Sequence, residues 1–215
     1  VKLVAALALG ALFGAIPTGV SAASGETIHA FVIHAAFFSV ETHQPQLIDP
    51  HVFIAIAGAP ADTGPQAIVH VAGVRPAFPT DDAATDARAA DGRPLGLTLG
   101  TWFGARGTIV IDMSLPNSPR IRATFNGLQP DGMYSLFEPH FAASGITVTP
   151  LDGFGTNNSF HADAQGRADI TVTLRGPLTH ANAVILVYHS DGATHGTERG
   201  RPGIDAHDQL IYRPA

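Results

Sequence analysis

The chain has 215 residues, 45% hydrophobic and 14% charged, with 18 acidic against 12 basic side chains. That apolar share supports a sizeable core and excludes wholesale disorder, and the acidic balance argues against nucleic acid or an anionic membrane surface as partner. The absence of cysteine excludes disulfides, cysteine-ligated zinc, iron–sulfur clusters and thiol nucleophiles, while eleven histidines supply nitrogen ligands.

Residues 1–22 read as a secretory signal peptide. Lys2 is the positive n-region, Leu3 to Ile16 is a fourteen-residue apolar stretch, and Val20-Ser21-Ala22 satisfies the small-residue rule for cleavage. Fourteen residues fall short of the roughly twenty that a spanning helix needs, so an exported chain, periplasmic or extracellular, without a membrane span is expected.

Residues 23–75 are expected to form an N-terminal β segment packing on the main domain. Within it, residues 28–40 (IHAFVIHAAFFSV) are apolar on both faces, which suits a strand buried on both sides or a buried helix. Residues 52–57 (VFIAIA) and 67–74 (AIVHVAGV), bounded by Gly and Pro, read as strands. Residues 76–96, rich in Asp, Ala, Arg and Pro, read as a loop or linker, with room for a short helix over 81–90 capped by Thr80.

From residue 97 to 215 a β-sandwich domain is expected. Residues 97–103 and 108–113 look like one strand pair, and residues 120–125 alternate, with Ile121, Ala123 and Phe125 inward against Arg120, Arg122 and Thr124. A Gln129-Pro130-Asp131-Gly132 turn leads into residues 133–138, and residues 159–174 resemble a hairpin around Ala164–Arg167. Residues 183–188 and 209–212 complete the set. Short strands joined by 23 glycines' and 16 prolines' worth of turns imply an all-β, antiparallel sandwich, immunoglobulin-like or barrel-like, with a long C-terminal loop.

Chemistry concentrates in that loop. His189 ends an apolar strand, His207 precedes another, and His195 lies between; His140 sits at a further strand end. Neutral imidazoles suit copper or zinc, and three or four of them satisfy tetrahedral or tetragonal coordination. Asp191, Asp205 and Asp208 are placed to accept the second ring N–H of such ligands or to ligate directly. The spacing matches no specific zinc motif. His29 and His34, five residues apart, read as core or edge histidines, and His43 and His51 as flanks of a polar loop. Residues 152–158 read as turn chemistry, not a calcium loop. The residues thus favour an exported protein binding one copper or zinc ion through His189, His195, His207 and His140. Two alternatives stay open: a metal-dependent oxidoreductase or hydrolase at the same place, and a metal-free extracellular recognition module. No substrate or oligomeric state is legible.

Overall fold

The computed structural model describes residues 27–112, 114 and 119–215; the signal peptide expected over 1–22 lies outside them. In chain order the elements are β1 (Ile28–Ala30), β2 (Val32–Ile33), α1 (His34–Glu41), β3 (Phe53–Ala55), β4 (Asp62–Thr63), β5 (Val69–His70), β6 (Val74–Pro76), β7 (Asp86–Arg88) and β8 (Pro94–Thr98). There follow α2 (Leu99–Gly104), β9 (Arg106–Asp112), β10 (Arg120–Asn126), β11 (Met133–Ala142), β12 (Gly145–Pro150), β13 (Ser159–His161), β14 (Ala168–Thr173), β15 (Val184–His189) and β16 (Ala206–Tyr212). All pairings between these strands are antiparallel, and the strands form several sheets, none closed into a barrel.

The first sheet runs β1-β9-β10-β14, and the second runs β12-β11-β15-β16-β2 with β13 also pairing β11. The chain therefore changes sheets at Phe31, between β1 and β2. Its N–H donates to the Gly107 carbonyl, and its ring meets Phe125 of the first sheet (5.2 Å) and Tyr212 of the second (6.3 Å). A third sheet, β6-β3-β7-β8, sends Val52, Ile54, Leu95 and Leu97 into the same core, which Trp102, Ile109, Ile121, Tyr134, Leu136 and Leu186 also fill. Strands β4 and β5 pair separately.

The alternation read in β10 holds residue by residue, Ile121, Ala123 and Phe125 being buried and their neighbours exposed. Elsewhere tertiary packing overrides the local pattern. The 28–40 run is split: after β2 it coils into α1, whose buried His34, Ala35, Phe38 and Ser39 recur at helical spacing. This places Phe37 on the outer face of the second sheet, against a second cluster of Phe137, Ile185, Val187 and Ile211. The stretch expected as a loop or linker with a helix over 81–90 contains β7 and the start of β8 instead, and Ala87, Ala89 and Ala90 are fully buried. Small alanines let this backbone enter the core, so their low apolar weight disguised them. The expected 97–103 strand ends at Thr98, whose side chain accepts from Thr101 N–H and starts α2, and β8 pairs β7, not β9. The 159–174 hairpin also divides: its turn forms, with Asp163 N–H bonded to the Arg167 carbonyl, but β13 joins the second sheet and β14 the first.

The sheet change at Phe31 generates a stability prediction. Phe31→Ala removes a buried ring shared by both sheets and is expected to cost about 3–5 kcal/mol, read as a lowered urea midpoint. Val40→Ala, at a side chain 69% exposed, is expected to leave the midpoint in place.

Candidate metal centre

Strand β15 is buried along its whole length and ends at His189, 1% exposed; residues 190–205 then loop out before β16 returns. His189 Nε2 lies 2.8 Å from Ser135 Oγ, which lies 2.8 Å from Ser159 Oγ, which donates to Asn158 Oδ1. The Asn158 amide is oriented by its own Nδ2, donating to the Leu136 carbonyl. With the hydroxyl protons running from Ser135 to Ser159 to Asn158, Ser135 offers the ring a lone pair, Nε2 carries the proton and Nδ1 is left to coordinate. That Nδ1 is buried without a hydrogen-bond partner.

Two loop residues complete the centre. His195 packs its ring 5.4 Å from that of His189, and its Nε2 sits 3.1 Å from Asp191 Oδ2 without making a hydrogen bond. One ligand atom from each of His189, Asp191 and His195 lies within 4.8 Å of the other two. Gly200, at φ +91°, permits the close turn: a Cβ there would stand 2.8 Å from Asp205 Oδ1 and 3.1 Å from His195 Cδ2. Burial, then the neighbouring His195, lowers the pKa of His189 to about 4, so its imidazole is neutral and able to coordinate at neutral pH.

A second cluster, unforeseen in the sequence, lies on the outer face of the second sheet. His34 opens α1, His51 precedes β3, and Asp208 comes from β16; their ligand atoms also lie within 4.8 Å of one another, and all three are buried. Asp208 Oδ2 accepts from Arg199 Nη1 at 2.6 Å and stands 3.5 Å from His51 Nε2 and 3.9 Å from His34 Nε2. Burial pushes the Asp208 carboxyl up, but Arg199 and the adjacent histidines hold it below the usual range. His51 is already engaged: its Nδ1 accepts from Asp208 N–H, and its Nε2 donates to Gln66 Oε1 at 2.9 Å. Both clusters are geometrically able to hold a divalent ion.

The four histidines expected around one ion are thus distributed. His189 and His195 come together. His207, fully buried, points into the main core, donating from Nδ1 to the His51 carbonyl at 2.8 Å with Nε2 3.0 Å from Ser190 Oγ; neither nitrogen is spare. His140 lies seven residues along β11 from Met133, the partner of His189, about 24 Å at strand rise, and bonds Thr149 Oγ1 instead. Of the three carboxylates, Asp191 is a potential ligand. Asp205, beside His195, is occupied by the backbone N–H and Nε of Arg201, and Asp208 belongs to the other cluster. Residues 34, 51 and 208 are too far apart in sequence to signal their meeting, whereas the approach of Ser135, opposite Val187, to His189 follows only from the strand register. The Asp152 loop is turn chemistry as read: its carboxylate accepts from the N–H groups of Phe154, Gly155, Thr156 and Asn157.

Acidification tests these charge states. Burial lowers His34 to about 3 and His207 to about 4, as it does His189. Between 6.5 and about 4 the unfolded chain therefore binds protons that the native protein refuses, and stability falls as pH falls. Asp49, which burial raises to about 6 although Trp102 Nε1 donates to it, works in the opposite sense, because the native state takes up its proton first. Three histidines outweigh one aspartate, each uncompensated proton contributing about 1.4 kcal/mol per pH unit. The urea midpoint of metal-free protein is expected to fall steadily from pH 6.5 to 4.5; a flat profile would show that these imidazoles are not held neutral.

No family model matches the chain, and no curated protein or solved structure matches it either.

Proposed function

We propose that this protein is an exported β-sandwich that binds one copper or zinc ion through His189, Asp191 and His195. The observation that carries the reading is the buried, unpartnered Nδ1 of His189, a histidine held at its other nitrogen by Ser135 Oγ and clustered with a second imidazole and a carboxylate. A ring nitrogen oriented by a hydrogen bond at its other nitrogen is how proteins prepare histidine ligands. The nitrogen-rich donor set with one carboxylate suits zinc or copper over calcium or magnesium. The His34–His51–Asp208 cluster is the poorer cation site, because Arg199 already supplies a positive charge to its carboxylate and both His51 nitrogens are bonded.

The sandwich reading is supported by the core that Phe31, Phe125 and Tyr212 share between the first two sheets, and the export reading by the pattern of residues 1–22. A second reading, a metal-dependent oxidoreductase or hydrolase, is favoured by one feature: three protein ligands with Asp191 exposed leave a coordination position open, as in catalytic zinc sites.

Elemental analysis of untagged protein after reconstitution with zinc or copper tests the centre. One ion per chain is expected, lost in His189→Ala and in His195→Ala but retained in His207→Gln that folds. Less than about 0.1 ion per chain in the parent protein would overturn the reading. Ser135→Ala leaves all three ligands in place and frees the tautomer of His189, so affinity for zinc in a competition titration is expected to drop about tenfold to a hundredfold.

A further inference from the structure

A cavity of about 760 Å³ opens between α1 and the outer face of the second sheet. Its walls are apolar and aromatic, chiefly Phe37, Phe38, Phe141, Val148, Ile185 and Ile211, and its polar groups include His34, Gln66, Arg199 and Asp208. The volume lies within the range of small-molecule sites, which are mostly apolar with a few placed polar groups.

The polar groups are short of partners. Asp208 Oδ1 and His34 Nδ1 are buried and unbonded, and a carboxylate oxygen or ring nitrogen left so is costly unless something completes it. Arg199 and Asp208 cancel one another at 2.6 Å, and Glu41, the other charged lining residue, is paired with Arg213 at 3.1 Å, so little charge is left for an ionic ligand. An added carboxylate would face Asp208, and an added ammonium would face Arg199. A hydroxyl suits such a pair, since it can donate to a carboxylate oxygen and accept from or donate to an imidazole.

The floor is also held in a costly conformation. Gln66 and Ala67 both adopt left-handed φ values, 55° and 57°, and the Gln66 amide is tied to His51. Consecutive non-glycine residues in that region are uncommon and gather where ligands are clamped.

We infer that this cavity binds a neutral, apolar small molecule that carries a single hydroxyl group, an alcohol or phenol whose O–H sits at His34 and Asp208 and whose body lies among the phenylalanines of α1 and β11. The site is separate from the proposed metal centre, which uses none of these residues.

The test is a fluorescence titration of the full chain with 2-naphthol, 2-methylnaphthalene and 2-naphthoate, with EDTA present. Saturable one-to-one binding of 2-naphthol is expected, with each of the other two weaker by about tenfold or more, the size of one hydrogen bond to a charged group. His34→Phe keeps the ring and removes its nitrogens, so 2-naphthol should lose its advantage over 2-methylnaphthalene. Ile146 lines the cavity and is 63% exposed; Ile146→Trp should block binding without moving the urea midpoint. Two results would overturn the inference: no saturable binding of 2-naphthol, or equal affinity for 2-naphthol and 2-methylnaphthalene. Unchanged 2-naphthol binding in His189→Ala/His195→Ala is expected, and its loss there would reassign the probe to the metal centre.

Discussion

In β16, Leu210 pairs with Leu186 and Asp208 with Val187, so Gln209 is an extra residue against its partner strand. Gln209 reaches inward, its Nε2 bonding the Trp102 carbonyl, and Leu210 beside it also enters the main core. The bulge resets the alternation of the strand, so His207 joins Trp102 and Tyr188 inside while Asp208 turns to the outer face. A regular strand would do the reverse. It would set an ionised carboxylate among Leu210, Leu186 and Tyr188, where nothing cationic could reach it, and burying such a charge unpaired is prohibitive. The bulge thus makes the cluster beneath α1 possible and frees the main core to take a neutral histidine.

That neutral histidine also ties the third sheet to the second. His207 Nδ1 donates to the His51 carbonyl, while His51 Nδ1 accepts the Asp208 N–H, so two residues of β16 clasp one residue leading into β3. Asp49 strengthens the same turn from the other side, receiving the N–H groups of His51 and Val52 and the Trp102 indole. Buried polar groups are tolerated here because nearly every donor is matched to an acceptor. Among the described residues the exceptions fall in the two histidine–aspartate clusters, and on Arg88 Nε and Gln209 Oε1.

What the sequence disclosed and what it hid follow from the range of the interactions involved. Strand β10 was legible because one face meets core and the other solvent, so its pattern is local. The pairing of His189 with His195 and Asp191 was legible because a loop of that length brings its own residues together. His140 and His207 stand apart from the centre for register reasons: β11 runs past β15 toward its opposite end, and β16 contains the bulge. The helices α1 and α2 were hidden in runs that are apolar on every side, where period two and period 3.6 cannot be separated. His34 and His51 carried no local mark at all. Their roles come from a sheet that collects residues more than 150 positions apart.

The loop between β15 and β16 serves both clusters with opposite electrostatic results. Near its start it sets Asp191 beside two imidazoles, and Arg201 is committed to Asp205. Four residues after His195 it sends Arg199 under the second sheet to neutralise Asp208. The first arrangement keeps a surplus of negative charge and an unbonded lone pair, the conditions under which a cation gains most from leaving water. The second has its cation built in as a guanidinium, and what it lacks is a hydrogen-bonding group small and neutral enough to sit in an apolar cavity. Arginine cannot surrender its proton at any ordinary pH, so this division of labour is fixed by the side chains and does not shift with conditions.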